Sequence, residues 1–574
     1  MKLKISLLPL NYLIAIIFLT NCNSKGSEFT ADQLYFGGII YTANTQQPTV
    51  EAVAILGDTI LFAGTYGKAQ AYTDENTIIH DLKGKTMLPG FIESHGHMMG
   101  LGYNELNLDL MDVKSYDELI DRVKEAVTKS KPGDWIIGRG WHQSKWAPQP
   151  ENMVKGFPVH DQLSEISPDN PVWLRHASGH ASLGNKKAME IAGIFPLSIE
   201  SMENEVEGGE IIRDDTGNPT GIFNERAQGV VGKFVPENSE ESDAKALELA
   251  IAACQRNGIT SFHDAGVGQS TIDLYKKFAN EGKLGTRMYV MISGPDRELT
   301  NKWLERGPEI DTSNHLVTIR SIKLNCDGAL GSRGAWLLDD YSDRPGHAGM
   351  ATLPMEYVEE VSIKALNKGF QVCSHAIGDR ANREVLDRYE NAFSKVPNHT
   401  TNHRFRIEHA QHIDPADLPR FSEMGVIAAM QAIHMSSDRP WAIDRLGEKR
   451  IVEGAYMWQS LLKSGAKVIN GSDVPVEPIY PFASFYASIT RKTLKGTPEG
   501  GYEPEEKMTR EQALISYTLD AAYGAFEEDI KGSIEKGKLA DLIIIDRDIM
   551  TIPENEILET KVVHTILGGE VIDN

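Results

Sequence analysis

Between residues 88 and 470 the chain repeats one pattern eight times: a short apolar, β-branched run, then a stretch whose apolar positions have helical spacing. The runs fall at 88–93, 259–263, 287–292, 319–324, 370–374, 405–408, 426–430 and 467–470. A continuous apolar run suits a strand buried on both faces, and strands alternating with amphipathic helices mark βαβ units in a parallel sheet. Eight such units predict an α/β fold with a (β/α)8 barrel, which takes about 250 residues. The alternation breaks once. Roughly 160 residues separate the first run from the second, far more than a crossover helix needs. The segment at about 104–250 therefore reads as an inserted cap, with 135–146 and 171–185 as its Trp-bearing stretches. There is no internal repeat and no low-complexity segment.

The two ends have a different texture. Val53 and Ile55 alternate toward Gly57-Asp58, with Ile60 and Phe62 beyond, which is the signal of a two-residue hairpin. Near the other end, an apolar run at 542–545 precedes Thr565-Ile566-Leu567, Gly568-Gly569 and Val571-Ile572. Chain termini often lie close together, so residues 31–88 and 526–574 are expected to form one small β-sandwich beside a barrel at 89–525.

Hydrophobic residues make up 41% of the 574-residue chain, enough for a large core, and that balance excludes wholesale disorder and a polytopic membrane protein. Acidic residues outnumber basic ones, 81 to 58, for a formal charge of −23. Such a surface repels phosphate backbones, so nucleic acid is not an expected partner. The first residues are the exception to a soluble pattern. Lys2 and Lys4 precede an apolar run at 5–19, broken by Pro9 and Asn11 and shorter than the about 20 residues of a spanning helix. This reads as a secretory signal. Leu19-Thr20-Asn21-Cys22 resembles a bacterial lipobox, with Asn21 where Gly or Ala is usual. The expectation is a signal peptide at 1–22, lipidation at Cys22, a tether at 23–30 and anchorage in the bacterial cell envelope; secretion or release to the periplasm is the alternative. Cys254, Cys326 and Cys373 are scattered and indicate no disulfide framework.

A barrel of this kind builds its site at the C-terminal ends of its strands. The first strand ends in Glu93-Ser94-His95-Gly96-His97, whose two histidines at i, i+2 share one side. The fifth ends at His375, the sixth at His409, and the eighth runs into Asn470-Gly471-Ser472-Asp473. One histidine at a strand end is ordinarily a hydrogen-bonded structural residue. Four imidazoles and a carboxylate on one rim form a metal-ligand set, and that donor chemistry suits Zn2+ with a position left open for water.

Leu88-Pro89-Gly90-Phe91-Ile92-Glu93-Ser94-His95-Gly96-His97 resembles the first-strand motif of the amidohydrolase superfamily. The likeness continues through 258–266, His375-Ala376-Ile377-Gly378-Asp379-Arg380, Glu408-His409-Ala410-Gln411, Gly471-Ser472-Asp473-Val474-Pro475-Val476 and the closing 532–542. Gly138-Arg139-Gly140-Trp141 and Asp327-Gly328-Ala329-Leu330-Gly331-Ser332-Arg333 resemble the amidohydrolase-3 branch, which includes N-substituted formamide deformylase-like enzymes. The resemblance runs from about residue 40 to the end. It implies a metal-bearing barrel, a β-sandwich made from both chain ends, and a carboxylated lysine on the fourth strand, here Lys323, bridging two cations. The alternative is a buried Lys323 paired with Asp473 or Asp327 beside one metal on His95, His97 and Asp473. One departure is Met430-Gln431-Ala432-Ile433-His434, where the branch has Gln-Pro-x-His; it leaves the role of His434 open.

The expected activity is hydrolysis of a non-peptide C–N bond, amide or formamide-like, in a small molecule. A metal lowers the pKa of water to about 7, and Asp473 serves as ligand and as general base, then acid. The competing readings are a one-metal cyclic-amidine deaminase, which Lys323 argues against, and a metal-barrel lipoprotein that binds without turnover. His180, in the cap, and Arg333, on a Gly-rich loop, are further substrate-binding candidates. His263 and Asp264 are expected as packed supports, Asp379 as a helix cap, and Trp141 and Trp146 as cap core or pocket wall. The expected partner is a small-molecule substrate, with a homodimer as the possible assembly.

Overall fold

The computed structural model describes residues 29–143, 146–176, 181–195, 209–236 and 238–572. Eight parallel strands form the barrel: β1 (Phe91–Gly96), β2 (Ile259–Val267), β3 (Arg287–Ser293), β4 (Val317–Asn325), β5 (Gln371–Ala376), β6 (Arg406–His409), β7 (Ile427–Met430) and β8 (Val468–Asn470). Each pairs in parallel with the next from β1 to β8. The seam between β8 and β1 is closed by side chain and loop. The Ser94 hydroxyl donates to the Asn470 carbonyl at 2.6 Å, and the Asp473 amide donates to the His95 carbonyl at 2.8 Å. The apolar runs fall on these eight strands except for the start of the first, where Leu88 and Pro89 end a strand of the chain-end sheet (Thr86–Pro89) and β1 begins at Phe91; helices pack outside the barrel in one continuous core.

Both chain ends enter a single eight-stranded sheet. Its turns follow from glycine. Gly57 has φ +59°, between antiparallel strands Thr49–Leu56 and Thr59–Gly64, while Gly568 and Gly569 both have positive φ between Val562–Leu567 and Glu570–Val571. Alternation along Leu542–Ile545 then divides the side chains. Leu542 and Ile544 meet Tyr35, Val53 and Ile55 in a core shared by both chain ends, whereas Ile543 and Ile545 belong to the barrel core. A buried bidentate pair, Arg287 on β3 with Asp541 before that strand, ties the two units at 2.7 and 2.9 Å.

Between β1 and β2 the chain builds a six-stranded sheet ordered Gly209–Arg213, Pro219–Glu225, Ala181–Gly184, Val172–His176, Ile136–Trp141 and Leu108–Asp109. Trp141 and Trp146 are buried in its own core, and the Trp141 indole donates to the Leu174 carbonyl at 2.8 Å. They are core rather than pocket wall. The insert returns to the barrel through helix Glu240–Arg256, packed on helix Met98–Leu106; a Cβ at Gly102 would lie 2.1 Å from the Ala246 carbonyl oxygen, so only glycine allows that approach. Cys254, Cys326 and Cys373 are buried free thiols. Among the described residues no helix is long and apolar enough to cross a membrane.

Candidate metal centre

The C-terminal ends of β1, β4, β5, β6 and β8 bring His95, His97, Lys323, His375, His409 and Asp473 to one rim. The site begins where β1 meets the loop after β8. A Cβ on Gly471 would sit 2.3 Å from Glu93 Oε1 and 2.8 Å from the His95 nitrogen, so glycine lets this loop lie against β1. Ser472 then donates its amide and hydroxyl to the two Glu93 oxygens, at 2.7 and 2.8 Å. Burial still pushes the Glu93 carboxyl up to about 7. The next residue, Asp473, has φ +58°, a backbone form that side-chain-bearing residues seldom adopt.

Each imidazole nearest Asp473 has one ring nitrogen already engaged. His95 Nδ1 contacts the Glu408 carboxylate. His97 Nδ1 lies 3.0 Å from the Ala265 carbonyl, and His409 Nδ1 lies 2.7 Å from Gln431 Oε1. Because a carbonyl only accepts, these partners assign the proton to Nδ1 and leave the Nε2 lone pair free. Those lone pairs face Asp473. Its Oδ1 is 3.2 Å from His97 Nε2 and 3.7 Å from His95 Nε2, yet it is buried and has no hydrogen-bond partner among the described residues. His95, His409 and Asp473 each offer a ligand atom within 4.8 Å of the others. The His375 ring centroid is 4.4 Å from that of His409, and its buried Nε2 likewise lacks a hydrogen bond. Lone pairs converging on an unsatisfied carboxylate oxygen fit a divalent cation better than one another.

Electrostatics keep His95, His409 and Asp473 in ligand form, whereas His97 is pulled toward its protonated form by Asp473. Burial, with the Lys323 charge adding to it, lowers the His95 pKa to about 4, and burial lowers that of His409 well below its usual value. For His97 burial also opposes protonation, but the Asp473 carboxylate outweighs it and raises the pKa. Burial works against ionisation of Asp473 too, and the surrounding histidines overcome it, holding the carboxyl far below the ordinary range. Lys323 is buried and its pKa is lowered, chiefly by burial. Its Nζ sits 3.5 Å from His95 Nε2. Among the described residues it makes no ion pair with Asp473 or Asp327. Asp327 is engaged elsewhere, accepting the amides of Ile377, Gly378 and Trp336 and lying 3.3 Å from His375 Nε2.

Behind the ligands is an ion pair that the sequence motifs do not announce. Arg406 and Glu408, two residues apart on β6, both point into the barrel with no solvent exposure. Arg406 Nε donates to Glu408 at 2.7 Å, and its Nη2 donates to the Ser94 carbonyl at 2.6 Å. Burial alone would raise the Glu408 pKa; Arg406 and His95 reverse this and bring it to about 2. An ionised Glu408 therefore orients His95, as a carboxylate behind a ligating imidazole does. A signal is present in the sequence: two charges at period 2, Arg406 and Glu408, on either side of Ile407 in an expected barrel strand. Gln431, which orients His409, is legible only as part of a motif.

The remaining candidates separate. His263 and Asp264 are buried supports, with His263 Nδ1 3.2 Å from Arg406 and Asp264 accepting from the Met98 amide at 3.0 Å and Tyr275 at 2.5 Å. Arg333 does not present a free guanidinium, because Asp343 holds it bidentately at 3.0 and 2.8 Å. Asp379 is the first residue of helix Asp379–Lys395 rather than its cap, which is Gly378; its carboxylate accepts the Leu338 and Arg380 amides. Ala432, in the place of the branch proline, donates its amide to Asn470 at 3.1 Å, a bond proline has no hydrogen to make. His434 Nε2 reaches within 3.9 Å of Asp473 Oδ2. His180 and Cys22 lie outside the described residues.

A parallel barrel carrying such a rim defines a metal-dependent hydrolase. Comparison with known proteins makes the class specific. Residues 79–573 match the model of the Amidohydrolase family, and the chain belongs to that family. It is 32% identical over 552 residues to Protein LONG AFTER FAR-RED 3 of Arabidopsis thaliana, covering 94% of this chain and 91% of that one. To the N-substituted formamide deformylase of Arthrobacter pascens it is 26% identical over 549 residues, covering 94% and 97%. Among solved structures, an uncharacterized metal-dependent hydrolase from Pyrococcus horikoshii OT3 superposes with TM-score 0.73 at 28% identity, covering 91% of this chain and 99% of that one.

Proposed function

We propose that this metal-dependent hydrolase cleaves a non-peptide C–N bond, amide or formamide-like, in a small molecule. The observation that carries the reading is Asp473 Oδ1, buried without a hydrogen-bond partner among the described residues, with His97 Nε2 at 3.2 Å and His95 Nε2 at 3.7 Å. His95, His97, His375, His409 and Asp473 would hold one or two divalent cations, with zinc the best match to their donors. Bound there, such a cation acidifies water to a pKa of about 7 and polarises a carbonyl oxygen. The chain's own part is proton management. Asp473 accepts a proton from the attacking water as its oxygen bonds to the carbonyl carbon, then delivers it to the nitrogen as the C–N bond breaks. Water is consumed, and an acid and an amine are released. Glu408 and Gln431 keep His95 and His409 in the tautomer that offers Nε2.

Lys323 completes the proposal. Burial favours its neutral amine, which can condense with carbon dioxide to a carbamate, losing a proton, and so supply two oxygens between two cations. Metal analysis of the wild type beside Lys323→Ala, with turnover on a panel of formamides and acyl amines, tests the reading. The variant is expected to lose at least one metal per chain and nearly all turnover. Unchanged stoichiometry rejects the bridging role, and a metal-replete wild type inert across the panel rejects the hydrolase reading in favour of binding without turnover. The N-terminal pattern supports a lipid anchor at Cys22, whose replacement by Ala is expected to release the protein from the membrane fraction.

A further inference from the structure

The helix after β7 and the loop after β8 carry two half-buried carboxylates, Asp438 and Glu477, whose opposing charge among the described residues is the His434 ring alone. Asp438 lies one turn beyond His434 on helix Ala432–Gly454, so the two share a face. Glu477 follows Asp473 by four residues on the loop after β8. Ser437 sits between them, donating its hydroxyl to Glu477 and lying 3.4 Å from Asp438 Oδ1. A hydroxyl carries a single proton and cannot satisfy both.

Among the described residues neither carboxylate forms an ion pair. The guanidiniums nearest in the chain and fold, Arg439 and Arg491, both pair with Glu503, at 2.7 and 3.1 Å. Burial raises the Asp438 pKa to about 6, with the Glu477 charge adding to it and the His434 charge and a Gln411 hydrogen bond opposing it; burial lifts that of Glu477 as well, again against His434. His434 is the independent sign of a missing ligand. Only 8% of it is exposed, and among the described residues its Nε2 has no hydrogen-bond partner while lying 3.9 Å from Asp473 Oδ2. A buried imidazole nitrogen without a hydrogen bond thus links the two carboxylates, both of which interact with the His434 ring, to Asp473 on the rim.

Resting on the reading that this centre takes a small amide, we propose that Asp438 and Glu477 recognise a positive charge on the substrate, an ammonium or amidinium close to the scissile bond. An ammonium offers three N–H donors to these carboxylate oxygens, which among the described residues no Lys or Arg pairs with, and the His434 nitrogen can take a hydrogen bond from the same group. An anionic substrate would meet three carboxylates and be rejected, which is specificity by repulsion as well as attraction.

Calorimetric titration of the metal-loaded full chain with phenethylamine, phenethyl alcohol and phenylacetate near neutral pH tests this without requiring turnover. Affinity is expected to fall in that order. Asp438→Asn and Glu477→Gln should each shrink the amine-to-alcohol affinity ratio, and together by about thirtyfold. An amine bound no more tightly than the alcohol, or a ratio unmoved by the variants, overturns the proposal. Glu477→Gln, on a partly exposed loop, carries the test if Asp438→Asn does not fold. Hydrolysis of N-formyl derivatives is followed in parallel. Cation-selective binding without hydrolysis supports the subsite and defeats the catalytic reading. Hydrolysis that prefers a neutral amide to a cationic one overturns the subsite and leaves the catalytic reading standing.

Discussion

The sheet made from the two chain ends and the rim of the barrel follow opposite rules. In the sheet most local preferences agree with the fold: apolar residues alternate along its central strands, glycines occupy the hairpin turns although Ala43 and Lys83 also take positive φ, and the buried charges Arg287 and Asp541 satisfy each other bidentately. On the rim the preferences conflict. His409, Ala410 and Asp473 have positive φ without being glycine, and His375 Nε2, His434 Nε2 and Asp473 Oδ1 are buried without hydrogen bonds. Conflicts of this kind persist where function needs them and the surroundings hold them in place. Changes in the sheet should therefore cost stability and spare chemistry, and changes on the rim should do the reverse.

The largest expected effect is on the rim. Asp473→Asn keeps the shape and removes both the ligand charge and the proton acceptor. We expect kcat/KM on any hydrolysed amide to fall about 10³-fold or more, with less metal retained after dialysis and an unchanged melting temperature. A variant that keeps wild-type turnover would remove Asp473 from the mechanism.

Glu408→Gln probes the layer between the two regimes. The amide can still accept from His95 but no longer neutralises Arg406, which has no solvent exposure. Metal affinity should drop about 10- to 100-fold, and the stranded guanidinium should cost about 3–5 kcal/mol of stability. Both are read on one sample, by metal titration and by urea denaturation. Loss of stability with intact metal affinity would show that Glu408 serves the core and not His95.

Those two residues also show where the sequence is informative. The barrel strands are legible because parallel strands buried on both faces must be continuously apolar, and a run such as 426–430 is too short for a buried helix. His95, His97, His409 and Asp473 are legible because topology puts every strand's C-terminal end on the same rim, so position along the chain translates into position in space. Arg406 and Glu408 are harder to see because a buried ion pair is defined by which face of the strand it occupies, and the period-2 signal is plain only for apolar residues. The Asp343 partner of Arg333 could not be anticipated: ten residues of loop have no periodicity from which to infer contact. Asp438 does not stand out in the sequence because its isolation depends on where Arg439 and Arg491 point, which is settled by Glu503 from a distant segment.

In the sheet, Asp541→Asn should lower stability by about 3 kcal/mol, since it leaves Arg287 buried and unpaired, while kcat/KM stays within about twofold of wild type. Its pH dependence follows from linkage. Burial raises the Asp541 pKa, but Arg287 outweighs it and the net shift is downward. The native state thus binds fewer protons than the unfolded chain on the acid side, and the stabilisation is complete above the ordinary carboxyl pKa and lost as pH falls below it. Denaturation midpoints of wild type and variant should converge in acid and separate toward neutrality. Parallel curves would mean that the ion pair does not govern the junction.

The smallest effect is expected at Arg333, and its smallness is informative. The residue lies on a Gly-rich loop with φ +61°, which by itself suggests a side chain held out for a ligand. Asp343 takes the Nε and Nη2 edge of the guanidinium, and Arg445 also contacts Asp343. A substrate carboxylate would have to displace a bidentate intramolecular partner already in place, and it would arrive beside that partner's negative charge. Arg333→Gln should accordingly change KM by less than about twofold for cationic, neutral and anionic amides alike. A selective rise in KM for the anionic amide would return Arg333 to the binding site and would oppose the cation preference assigned to Asp438 and Glu477.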